Sequence, residues 1–131
     1  MDDLYREIII DHYKNPNHKG RIEKSDYAFE DENPLCGDHI HIDLVVDDDM
    51  KVVDAKFDGQ GCAISVASAD LLLESVIGKN IDDLKQLGKQ DILDLLGITL
   101  SPVRLKCALL SLKVLKAAIY ELDVATEELT E

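Results

Sequence analysis

His39-Ile40-His41-Ile42-Asp43-Leu44-Val45-Val46-Asp47-Asp48-Asp49-Met50-Lys51-Val52-Val53-Asp54-Ala55-Lys56-Phe57-Asp58 is the stretch that decides the fold. Ile40, Ile42, Leu44 and Val46 alternate with His39, His41 and Asp43, the two-residue period of a half-buried strand. Asp47 to Met50 is turn chemistry. Residues 51–58 read as a second strand with Val53, Ala55 and Phe57 on its apolar face, so the pair predicts an antiparallel hairpin. Residues 26–33 are expected to be extended as well, which makes about three strands.

On either side of this hairpin the period changes. Leu4, Ile8, Ile9 and His12 predict an amphipathic helix over 3–14, ended by Asn15-Pro16-Asn17. Gly59 to Gly61 reads as a flexible link. After it, Val66, Ala67, Asp70, Leu71 and Glu74 recur at helical spacing up to Gly78. Asn80 is a cap for a short helix over 81–87, and Gly88 and Gly97 bracket another over 91–96. Ser101-Pro102 supplies an N-cap and a first-turn proline for a long helix over 103–122. The acidic tail 123–131 is expected to fray. The expectation is a single α+β domain over 1–131: a small antiparallel sheet, helices packed on one face, and a helical second half.

The chain has 131 residues, with 14 Lys and Arg against 27 Asp and Glu, a net charge of −13. That balance excludes a basic nucleic-acid face and disfavours an anionic membrane surface. It suits a cation or a basic protein partner, whose docking would then weaken with salt. A solvated acidic surface explains the charge equally well. No apolar run approaches the length of a membrane span, and the N-terminus has no apolar targeting core, so a cytoplasmic protein with reduced thiols is expected.

Three cysteines carry the chemistry. Cys36 lies in Asn33-Pro34-Leu35-Cys36-Gly37-Asp38, Cys62 in Gly59-Gln60-Gly61-Cys62-Ala63-Ile64-Ser65, and Cys107 in Val103-Arg104-Leu105-Lys106-Cys107. An odd number of thiols argues against a disulfide framework. Gly37 allows a tight turn, so that Cys36 and Asp38 can face one ion. Cys62 opens a helix, where the dipole favours thiolate. Cys107 stands near a helix start beside the cations Arg104 and Lys106. Three thiols and a carboxylate form a four-point site for a soft metal. Taken singly, each cysteine also reads as a small buried hydrophobe. A Cys–His pair, with His39 or His41 as base to Cys36, is a weaker reading, because a polar strand face accounts for both histidines. Phosphate-loop, dinucleotide, serine-hydrolase and zincin signatures are absent from the sequence.

These three segments, in this order, together with Tyr5-Arg6-Glu7 and His12-Tyr13-Lys14-Asn15-Pro16, resemble the iron–sulfur cluster scaffold family of the IscU, SufU and NifU N-terminal type. The resemblance covers residues 1–122. It implies that Cys36, Asp38, Cys62 and Cys107 are the ligands of iron, of a transient [2Fe-2S] cluster, or of zinc. It implies a cysteine desulfurase as sulfur donor, Cys107 as first sulfur acceptor, apo-proteins as recipients, and a scaffold rather than an enzyme. A homodimer in the cluster-bound state is compatible with it. Lys106 stands where IscU-type members have His and resembles the SufU type, in which zinc is held and sulfur relayed. The short spacing from Cys62 to Cys107 resembles the IscU type instead. Lys106 is therefore an auxiliary site residue, as a charge partner. Leu100-Ser101-Pro102-Val103-Arg104 resembles the segment that IscU-type scaffolds present to an Hsp70 chaperone, with Ser for one Pro and Arg for Lys.

Overall fold

The computed structural model describes residues 2–33 and 37–130, and side chains from 6–33 and 37–120. Cys36, with Pro34 and Leu35, lies outside the described residues. The elements are α1 (Asp2–Lys14), β1 (Tyr27–Asn33), β2 (Asp38–Val46), β3 (Val52–Gln60), α2 (Ala63–Val76), α3 (Ile81–Leu84), α4 (Lys89–Leu96) and α5 (Pro102–Thr130). The sheet is antiparallel with order β1-β2-β3, so the expected α+β architecture is the one observed.

Alternation along β2 does what the sequence requires. Ile40, Ile42 and Leu44 are fully buried, and Ala55 and Phe57 face them across the β2–β3 ladder. α2 and α5 pack over this side, contributing Ala67, Leu72, Leu73, Leu115 and Ile119 to one apolar core. The core has only two phenylalanines to draw on, so it is filled by branched aliphatic side chains in close packing.

Three sequence expectations need correction. Val53 is not on the apolar face: it is exposed, while Val52 is buried. Val45 pairs with Asp54 but Val46 with Val52, so Val53 is the extra residue of a bulge that re-aims the strand. Gly59 is no flexible link but part of β3. A β-carbon there would lie 2.0 Å from the His39 carbonyl oxygen, and its φ is +134°, so only glycine lets β2 and β3 approach. The short helix after Asn80 ends at Leu84 rather than at 87. α5 itself runs to Thr130. Between Glu121 and Thr130 there is no Gly or Pro to stop it.

The capping chemistry is as read. The Asn80 side chain accepts from the Asp82 N–H at 2.9 Å. Ser101 accepts from the Arg104 N–H ahead of Pro102. Gly97 takes φ +67° at the end of α4. Among the described residues no helix is long and apolar enough to cross a membrane.

Candidate metal centre

Asp38 begins β2, Cys62 caps α2, and Cys107 lies in the second turn of α5. The fold brings these three together at one end of the sheet. One ligand atom from each lies within 4.8 Å of the others. Cys62 Sγ and Asp38 Oδ2 are 3.6 Å apart. Thiolate and carboxylate ligands of one tetrahedral ion, bound at about 2.3 and 2.1 Å, would be about 3.6 Å apart. Two soft sulfurs and one hard oxygen converge within reach of one ion, and the one pair whose distance is fixed matches it, so the donor set fits.

Asp38 is 3% exposed and Cys107 2%; Cys62 is half-buried. Ionised together, three such groups would repel one another at high cost without a cation between them. Cys62 supplies the N-cap position of α2, yet its side chain makes no cap bond. The cap comes from β2: Asp38 Oδ1 accepts the Cys62 N–H at 3.1 Å. The helix end that was expected to favour thiolate at Cys62 thus also holds a carboxylate. Gly61 makes room for this, since a β-carbon there would come within 2.9 Å of the Asp38 carboxylate.

Cys107 lies near the start of α5, as read, but in its second turn, where it is buried. Lys106, its neighbour, is exposed and lines a separate depression of about 260 Å³ with Glu32, Asn33, Leu109, Leu110 and Lys113. Of the Cys36-Gly37-Asp38 turn, Gly37 is described: its φ is +72° and its N–H donates to the Asn33 carbonyl at 2.8 Å. Cys36 itself falls outside the described residues.

The histidines on β2 have other partners. His39 Nε2 pairs with Glu30 at 2.9 Å, and His41 Nε2 with Asp43 at 3.0 Å. Both face the side of the sheet opposite the core, which favours the polar-face reading over a base for a cysteine. Sequence reasoning placed Asp43 on that polar face but missed that it is 2% exposed. Its carboxylate accepts from Arg21 Nε, the Ile22 N–H, the Ser25 hydroxyl and His41. Burial pushes its pKa up, but the Ile22 N–H, His41 and Ser25 outweigh this and hold it below the usual carboxylate value.

The arrangement defines a class first: an α+β protein with a thiol–carboxylate cluster at the sheet end that could hold a metal ion, assembled from β2, α2 and α5. The NifU-like N terminal domain family matches residues 4–128, and the chain belongs to that family. It is 40% identical to the zinc-dependent sulfurtransferase SufU of Bacillus subtilis, with 91% of each chain covered. It is 35% identical to the iron–sulfur cluster assembly scaffold protein IscU of Escherichia coli, over 88% of this chain and 91% of that one. A crystal structure of a candidate SUF-system iron–sulfur cluster assembly scaffold from Fervidobacterium islandicum superposes with a TM-score of 0.76. It shares 31% identity, and 86% of this chain and 94% of that chain are covered.

Proposed function

We propose that this chain acts as one scaffold domain for iron–sulfur cluster assembly. It takes sulfur from a cysteine desulfurase and ferrous iron, with a further two electrons from an external reductant to bring the persulfide sulfur to sulfide, and passes the assembled [2Fe-2S] unit to apo-proteins. The observation that carries this reading is the convergence of Asp38, Cys62 and Cys107. Family membership and relatives named as scaffolds support it. Cys36 completes the proposed ligand set through its place in the motif.

In this reading Cys62 and Cys107 supply thiolates, and Asp38 is the weaker, oxygen ligand that keeps the site labile. Cys107 is the proposed sulfur acceptor: its thiolate attacks the outer sulfur of the desulfurase persulfide, and the desulfurase thiolate leaves. Because Cys107 is 2% exposed, this transfer requires its thiol to be uncovered when the partner docks. Lys106, exposed beside it, is proposed to draw near the site as a charge partner rather than as a ligand. The Hsp70 reading rests on residues 100–104, of which Val103 is 56% exposed.

A zinc-bound sulfur acceptor is the second reading, favoured by the 40% identity to a zinc-dependent sulfurtransferase. The same residues would hold zinc until the desulfurase displaces one thiolate. Anaerobic incubation with desulfurase, cysteine and ferrous iron, followed by iron, zinc and acid-labile sulfide analysis, separates the two. Equal iron and sulfide, lost in Cys36→Ala, supports the scaffold. Retained zinc without labile sulfide supports the sulfur acceptor.

A further inference from the structure

Ser65 is 1% exposed in the first turn of α2. A buried helical serine ordinarily returns its hydroxyl to its own helix. Buried Ser111 and half-buried Ser75 do this, bonding the Ala108 and Leu72 carbonyls three residues back; buried Ser68 makes no hydrogen bond at its hydroxyl. Ser65 does neither. Its hydroxyl donates to Asp38 Oδ2 in a short contact, across 27 residues of chain. The same oxygen is 3.2 Å from the Cys107 carbonyl and 3.8 Å from Cys62 Sγ. One buried hydroxyl thus touches all three described residues of the metal centre: Cys62 at the cap of its own helix, Asp38 of β2 and Cys107 of α5.

We infer that Ser65 is a positioning residue that fixes Asp38 as a metal ligand. The inference rests on the reading of Asp38, Cys62 and Cys107 as the ligand set. The Asp38 carboxylate is held at both oxygens, by the Cys62 N–H on Oδ1 and the Ser65 hydroxyl on Oδ2. A carboxylate oxygen carries two lone pairs, so Oδ2 can keep the serine bond while it binds an ion. Without the hydroxyl, one oxygen loses its tether and the carboxylate can turn away from the ion. Partners of this kind, which orient a ligand from behind, contribute about 10–100-fold to metal affinity. Gly61 serves the same contact by leaving the space in which Asp38 and Ser65 meet.

The test is cobalt(II), which reports its thiolates by charge-transfer absorption and its donor set by its visible bands. Its release to excess chelator is timed in the full chain. Ser65→Ala is expected to keep the thiolate absorption, change the visible bands, and release cobalt about tenfold faster. Asp38→Ala should release it at least as fast, and Asp38→Ala with Ser65→Ala no faster than Asp38→Ala alone. A merely structural serine would add its own factor in both backgrounds, and that result overturns the inference. So does an unchanged release rate in Ser65→Ala. If Ser65→Ala does not fold, Gly61→Ala carries the same test, because its methyl displaces Asp38 from Ser65. It too should speed release, and lose that effect in the Asp38→Ala background. Unchanged release in Gly61→Ala overturns the inference in that case. A wild-type chain that shows no thiolate absorption with cobalt removes the metal-site reading itself, and the inference with it.

Discussion

Asp43 shows how a residue on a polar strand face can carry more than a surface role. It accepts from four donors while 2% exposed, and so ties the 21–25 loop to the centre of the sheet. Asp43→Asn replaces an acceptor oxygen with a donor facing other donors, which should cost about 1–3 kcal/mol. Its pKa is lowered on folding from 3.8. The carboxylate therefore contributes fully above about pH 4, and the contribution fades as pH falls through the folded value. Urea unfolding at several pH values should show a wild-type advantage over Asp43→Asn that is constant from pH 7 to 5 and narrows below about 4. A gap that stays constant down to pH 3 would remove this assignment. Period-2 alternation disclosed which face Asp43 is on but not its burial, because Arg21, Ile22 and Ser25 reach it through tertiary folding. Ser65 was hidden for the same reason: it reads as an ordinary polar position of a helix. That Asp38, Cys62 and Cys107 belong together was legible because each lies in a distinctive local segment, with glycine directly before Asp38 and Cys62.

At the scale of elements, α1 is attached to α2 by more than apolar packing. Asp70 of α2 is completely buried; it meets His12 Nδ1 of α1 at 2.5 Å and accepts the His18 N–H at 2.8 Å. Removing one partner from a buried pair costs about 3–5 kcal/mol. His12→Ala leaves Asp70 the His18 N–H, so about half of that is expected, with faster amide exchange concentrated in α1 and residues 15–20. Equal acceleration over all helices would mean that this pair is not a local latch. At the other edge, Gly59→Ala places a methyl 2.0 Å from backbone oxygen at φ +134°. Neither strand can yield without breaking the ladder, so a loss of about 3 kcal/mol or more is expected by denaturant titration. Wild-type stability in that variant would show that β2 and β3 can separate there. The order and kind of the elements were legible from periodicity and capping, as at Asn80 and Ser101. The bulge at Val53 was not, because Val52 and Val53 satisfy either register locally and only pairing with β2 chooses between them. Gly59 was misread since a glycine beside turn-like residues signals a link as readily as a close strand approach.

Across the whole molecule, the cluster of candidate ligands exists only when the fold does. Asp38, Cys62 and Cys107 come from β2, α2 and α5, and in an extended chain the 45 positions from Cys62 to Cys107 keep them far apart. An ion that binds all three therefore binds the folded state and not the unfolded one, and must stabilise it by mass action. The three elements also enclose the common core, with Ile40, Ala67 and Leu115 wholly buried, so the stabilisation should be felt globally and not only at the sheet end. Zinc at about 100 times its dissociation constant corresponds to about 2.7 kcal/mol, which for a chain of this size raises the melting temperature by about 10 °C. Cys62→Ala should abolish that rise. Because Cys62 is half-buried and at the edge of the core, its metal-free melting temperature should change by only a few degrees. Thermal melts with and without chelator, on both chains and at several zinc concentrations, measure this. A wild-type melting temperature that does not respond to zinc would mean that the three ligand atoms do not act together on one ion. A rise that persists in Cys62→Ala would place the binding ion elsewhere on this acidic chain.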